Sequence, residues 1–118
     1  MEKKVIEEFP RQEKRQKDFQ CSIGFVMTVI GGKWRAIVLW HIMKDGLIRY
    51  GQLKKSIPNI SHKILSQELK NLESDGLIER KAYATIPPKV EYILTERGKS
   101  LEDILTRICD WGKEYMIK

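Results

Sequence analysis

The chain has 118 residues, 42% of them hydrophobic, and a formal charge of +6. That length suits one domain with a real core and leaves little room for a second, and the hydrophobic share excludes disorder of the whole chain. The apolar runs near 23–30 and 36–43 are too short to span a bilayer, the charged N-terminus lacks a signal core, and two cysteines are too few for a disulfide scaffold.

A cytoplasmic chain with no membrane partner is therefore expected. Its charge is unevenly placed. Residues 33–70 hold eight Lys/Arg against two acids, Asp45 and Glu68, while the segments on either side nearly balance. A concentrated basic stretch is the electrostatic footprint of a polyanionic partner, although basic surfaces also serve solubility.

Residues 2–19 mix charges of both signs around Pro10 and read as an arm outside the core, mobile or partly helical and mainly solvated. From Cys21 the sequence turns apolar, and Ile23, Val26, Met27 and Ile30 fit one side of a short helix that Gly31-Gly32 breaks. The run KWRAIVLWHIMKDG is apolar almost all round, as a helix in the middle of a domain is. Core packing explains Trp34 and Trp40 better than a ligand platform does, and His41 reads as a hydrogen-bonded core residue. Asp45-Gly46 ends that helix, residues 47–50 suit a minimal strand, and 52–57 suit a brief helix burying Leu53 and Ile57.

The run ISHKILSQELKNLESDGLIER carries the clearest local signals. Ser61 is a good N-cap, and Ile60 and Leu65 are spaced as a hydrophobic staple. Ile64, Leu65, Leu69 and Leu72 make one apolar stripe, and Gly76 is placed to close a helix over 61–75 in the left-handed conformation. The opposite face shows His62, Lys63, Ser66, Gln67, Lys70, Asn71 and Ser74, with one acid, Glu68, near it. Such a face suits the major groove of double-stranded DNA, which is anionic and rich in donors and acceptors. An ordinary solvated face has a similar composition, so this helix alone does not decide.

A short helix, a turn and a second helix with a polar face make a helix-turn-helix. Two strand-like runs follow, LIERKAY and KVEYIL, joined through ATIPP. In the second, Val90, Tyr92 and Leu94 alternate with Lys89, Glu91 and Ile93, as in a half-buried strand. A hairpin in this place is a wing, here 77–94, and it offers Arg80, Lys81 and Lys89 to phosphates or a minor groove. A solvated hairpin edge guarded by lysines is the plainer reading. Thr95 can cap a last helix over about 95–117, in which Leu101, Ile104, Leu105, Ile108, Trp111 and Tyr115 form an apolar seam near heptad spacing. Whatever part of that seam the core does not use suits pairing with a second copy.

The expected fold is thus mostly α with a small β-hairpin. It is a winged helix-turn-helix over 20–118, with a three-helix core, a wing, an extra N-terminal helix and a C-terminal dimerisation helix. The sequence has no phosphate-binding Gly-rich loop, no HExxH and no catalytic Ser/His/Asp or Cys/His spacing, so an enzyme and a cofactor are not expected. Cys21, His41, His62 and Cys109 lack zinc-site spacing, so no metal is expected either.

The order Cys21, Gly31-Gly32-Lys33-Trp34, Arg49-Tyr50, Leu65-Ser66-Gln67-Glu68-Leu69, Asp75-Gly76-Leu77-Ile78, Pro87-Pro88, Val90-Glu91-Tyr92, Leu94-Thr95 and Gly98 resembles the HxlR family of winged-helix transcription regulators. That family is itself similar to the MarR regulators. The likeness spans roughly residues 20–112 in collinear order. It implies homodimers with paired terminal helices, and recognition helices entering successive major grooves of a pseudo-palindromic operator ~34 Å apart. By the same resemblance Ser61, His62, Lys63, Ser66 and Gln67 face bases or backbone, and Lys70, Arg80, Lys81 and Lys89 meet phosphates or the wing's groove. Arg49 and Tyr50 fall where the family often has a basic-aromatic pair near the DNA backbone, and Gln67 with Lys63 suits direct base readout.

Some members of the family sense oxidants or electrophiles through a cysteine at the position of Cys21, and a helix N-terminus favours the thiolate form of a cysteine held there. Where the family commonly has Pro after this cysteine, Ser22 stands here. A merely structural cysteine is the competing reading, and Cys109 reads as packing. Two other function classes compete with DNA binding: a winged-helix protein-interaction module, and a thiol redox enzyme, for which no resolving cysteine lies near Cys21 in sequence.

Overall fold

Capping chemistry sets most element boundaries in the computed structural model, which describes Phe9 and residues 21–116. Cys21 is the N-cap of α1 (Ser22–Ile30), its Sγ accepting the Gly24 N–H at 3.3 Å. Next come α2 (Arg35–Asp45), β1 (Leu47–Arg49) and α3 (Tyr50–Ser56). Tyr50 therefore opens a helix instead of ending a strand.

Ser61 caps α4 (His62–Ser74), its Oγ accepting the Ile64 N–H at 3.1 Å, and Ile60 and Leu65 are both buried, as the staple requires. At the other end Gly76 has φ 74°, its N–H reaches Glu73 O at 2.9 Å, and the Leu77 N–H reaches Leu72 O at 3.0 Å. That bond pair is the Schellman motif, and its usual apolar contact is supplied by Leu72 and Leu77, both fully buried.

The hairpin expected from the sequence belongs to a larger sheet. Strands β2 (Ile78–Tyr83) and β3 (Lys89–Leu94) pair antiparallel, and β1 pairs with the other side of β3, placing Leu47 beside Ile93 and Arg49 beside Glu91. The order is β1-β3-β2, so β3 is the central strand. This ties the wing to the helices at its root.

The core gathers Val38, Leu39 and Ile42 of α2, Leu53 of α3, Leu65, Leu69 and Leu72 of α4, and Ile78, Tyr92 and Leu94 of the sheet. Three expectations change here. Helix α2 is buried on one side only, with Ile37 exposed and Trp34 and Trp40 partly buried against the core. His41 is half-buried and has no hydrogen-bond partner among the described residues, and burial together with Lys44 holds its pKa below 6.5. On helix α1 the expected apolar side holds for Ile30, which is buried, and Val26, which packs on the core, but Ile23 is 70% and Met27 50% exposed while Val29 is buried instead.

The last expected helix is two. Thr95 caps α5 (Glu96–Lys99), accepting the Gly98 N–H at 3.1 Å, and the chain turns at Ser100 and Leu101 into α6 (Glu102–Tyr115). The break follows from docking, since Thr95 Oγ1 donates to Gly76 O at 2.5 Å and the Thr95 N–H to Leu77 O at 3.1 Å. Of the expected arm, all but Phe9 lies outside the described residues. Phe9 itself packs edge-on against Phe25, centroids 5.7 Å apart, and beneath Arg97, so at this position the arm touches the body.

A Cβ at Gly98 would lie 2.1 Å from Leu77 O, a backbone atom that cannot step aside, whereas one at Gly51 meets nothing within 4 Å. Urea unfolding of Gly98→Ala is expected to give a loss of ~1–3 kcal/mol from this overlap. Gly51→Ala should hold or gain up to ~1 kcal/mol in its helix.

Candidate nucleic-acid interface

Burial of Leu65, Leu69 and Leu72 turns Ser61, His62, Lys63, Ser66, Gln67 and Lys70 outward, and all six are exposed. Glu68, the acid noted beside this face, is drawn off it. Its Oε2 takes a 2.9 Å hydrogen bond from Arg35 Nε of α2, with both side chains under one-fifth exposed. Asn71 is half-buried and Ser74 exposed. Lys63, Ser66, Gln67, Lys70 and Asn71 together line a shallow surface depression along the helix.

A cleft of about 730 Å³ separates α4 from the wing. It brings together Arg49, Tyr50, Ser66, Lys70, Arg80 and Lys89 of the expected contact residues. Glu73 is the single acid on its walls, and Tyr92 stands in it beside Arg80, its partner across the β2–β3 ladder. Burial pushes the Tyr92 pKa up, while the Arg80 guanidinium opposes the rise by hydrogen bonding and charge. The cleft is therefore cationic, with aromatic rings in its walls. Lys81 is not among the residues that line it.

The sheet also sets a row the sequence did not single out: Arg49, Glu91 and Lys81, in register on β1, β3 and β2. Glu91 is buried although simple alternation puts it on the solvated side. Its signal is weak, since it depends on β1, three residues long, covering β3. A buried carboxylate needs partners, and these are Lys89 Nζ at 3.8 Å and the Tyr83 hydroxyl, whose pKa is raised chiefly by its hydrogen bond to Glu91. Lys89 Nζ also lies 4.5 Å from the Tyr83 ring centre. The lysine is thus held by the wing as well as lining the cleft.

Elsewhere, Cys21 is exposed and Cys109 half-buried. The expected pairing surface divides: Leu105 is 5% exposed and Leu101 packs on the core, so both serve their own chain. Ile108, Trp111 and Tyr115 stay exposed, Trp111 at 65%, with the last two rings 4.7 Å apart. Among the described residues no three His, Cys, Asp or Glu side chains gather as a metal site.

A short helix, a turn, a docked second helix and an antiparallel wing define a winged helix-turn-helix of the MarR-like type. Residues 29–118 match the model of the HxlR-like helix-turn-helix family, and the chain belongs to that family. It is 48% identical over 99 residues to the uncharacterised HTH-type transcriptional regulator YkvN of Bacillus subtilis, covering 84% of this chain and 83% of that one. The oxidised form of the redox regulator HypR superposes with a TM-score of 0.77 at 39% identity, covering 83% of this chain and all of that one. The reduced form of the transcriptional regulator YodB from B. subtilis does so with a TM-score of 0.66 at 30% identity, covering 80% of this chain and 93% of that one. The chain is accordingly a helix-turn-helix transcriptional regulator.

Replacing Glu91 by Gln tests how the wing is held. Spectrophotometric titration should show the Tyr83 hydroxyl moving down toward 10.0 as its charged acceptor is lost. Denaturant unfolding should show a loss of stability, because the neutral amide is a weaker acceptor for the Tyr83 hydroxyl and leaves Lys89 without its paired charge.

Proposed function

We propose that the protein binds double-stranded DNA as a homodimer on a pseudo-palindromic operator, with α4 in the major groove and the wing on the flanking backbone or minor groove. The observation that carries this is the cationic cleft beside the exposed face of α4. Four Lys/Arg residues line it against one acid, and the acid nearest the helix face is held away by Arg35. A groove of that sign suits a phosphate backbone, and the donors and acceptors of Lys63, Ser66 and Gln67 suit base edges. The exposed apolar row of Ile104, Ile108, Trp111 and Tyr115, with Ile23 and Met27 also uncovered, favours a second copy as the partner of α6. The DNA-binding domain of this reading is 20–118, with 1–19 as a charged N-terminal arm.

Binding to the promoter of its own or a divergent gene should exceed binding to random duplex. Log affinity should fall against log salt by about 0.9 per phosphate contact. Lys70→Ala and Arg80→Ala should each flatten that slope by about one and weaken all duplexes alike. Equal affinity for promoter and random DNA, with a stoichiometric protein partner in its place, would instead favour an interaction module.

Cys21 is the proposed sensing thiol. Its exposure at the start of α1 and the redox regulators among the structural relatives support this. Addition of a quinone or hypochlorite should release the wild-type protein from DNA and leave Cys21→Ser bound, whereas equal release would remove Cys21 from the role.

A further inference from the structure

Tyr50 stands at the start of α3, but its hydroxyl reaches across to α4. The hydroxyl lies 2.9 Å from His62 Nδ1 and, at a longer 3.4 Å, from Ser66 Oγ, and the Tyr50 and His62 rings are close to parallel at 17°. His62 and Ser66 are one helical turn apart, so a single phenol oxygen spans adjacent turns of the exposed face. With Nδ1 taken, Nε2 is the ring nitrogen that has no partner among the described residues.

A phenol hydroxyl has one proton, and the direction in which it points sets the whole chain of bonds. Phenol is a stronger donor than an aliphatic hydroxyl, and an imidazole nitrogen is a stronger acceptor than either oxygen. The favoured polarity therefore runs from the Ser66 hydroxyl to the Tyr50 oxygen, and from the Tyr50 hydroxyl to His62 Nδ1. A neutral imidazole that accepts at one nitrogen carries its proton on the other. We infer that Tyr50 is a positioning residue, one that fixes His62 with an Nε2–H donor turned to DNA, and that this donor reads a purine N7 or guanine O6 acceptor.

The inference rests on the DNA-binding reading above and changes the part Tyr50 plays in it, from a phosphate contact to a support for a base contact. His62 occupies the first residue of α4, and residues near the start of a recognition helix are those that reach base edges. A lone donor can be accepted by guanine N7 or O6, adenine N7 or thymine O4, while cytosine N4 and adenine N6 present only donors to it. Base discrimination at one position of each half-site follows from the tautomer. An imidazole free to exchange tautomers would discriminate less.

The test uses full-length protein and duplexes that carry the preferred site or one altered base pair. Tyr50→Phe keeps the ring and removes the hydroxyl, so it should lose about fivefold of discrimination at the same base pair as His62→Ala, with the salt slope unchanged. The double variant should lose no more than His62→Ala does. Discrimination left intact in Tyr50→Phe would overturn the inference, as would a uniform loss on all duplexes, the mark of a backbone contact. A second readout needs no DNA. Nitrogen-15 spectra of the free protein should show the His62 proton on Nε2, with a smaller share there in Tyr50→Phe, and a proton mainly on Nδ1 would overturn the polarity. Wild-type protein that binds every duplex alike defeats the DNA-binding reading itself, a result the ring-nitrogen spectrum separates from failure of the relay.

Discussion

The interface depends on the burial of one leucine stripe. Leu65, Leu69 and Leu72 are almost wholly inaccessible, and each is worth ~1.5–3 kcal/mol in the core, so a rotation of α4 that exposed them would cost more than a small domain can spare. With the rotation fixed, the outward residues are fixed too. Sliding is blocked at both ends: the Ile60–Leu65 staple and the Ser61 cap hold the start, and the Gly76 turn holds the finish. Helix α5 reinforces that finish, because Thr95 Oγ1 donates to Gly76 O and Arg97 Nη1 donates to Asp75 O at 2.8 Å. Gly98 is required there because only a residue without Cβ lets α5 close on the Leu77 backbone.

A second layer of organisation is electrostatic. Arg35 and Glu68 neutralise each other between α2 and α4, so the helix face keeps its cations without a neighbouring acid. On the wing the distribution is reversed, and Glu91 is buried among Arg49, Lys81 and Lys89. Removing either partner from such a group leaves an uncompensated charge, so these contacts act more as fixed geometry than as net stability. Because β1 joins β3 and leads straight into α3, wing and helix pair share a backbone frame. The Tyr50 hydroxyl then links α3 to the exposed face of α4.

Much of this was legible in the sequence where the physics is local. The cap at Ser61, the staple, the leucine stripe and the glycine stop each depend on residues within a few positions, and each stands where expected. The breaks from expectation depend on distant residues. Three residues of β1 are too few to carry a strand signal, so the burial of Glu91 in the strand beside it is not visible in the sequence. Docking of α5 on the end of α4 divides what reads as one continuous amphipathic run. The helical spacing of α1 admits several apolar faces, and only contact with the core selects Val29 over Ile23 and Met27. Tyr50, His62 and Ser66 were all singled out, but nothing in their spacing reveals a shared hydroxyl.

On the proposed function, the face fixed by the leucine stripe reads DNA twice over, through a symmetric dimer. Repeated selection of protein-bound duplexes from a random pool tests it most directly. The expected result is an enriched inverted repeat whose half-site centres lie one helical turn apart, ~34 Å along the duplex. A pool that stays random, or a single unrepeated half-site, would contradict it.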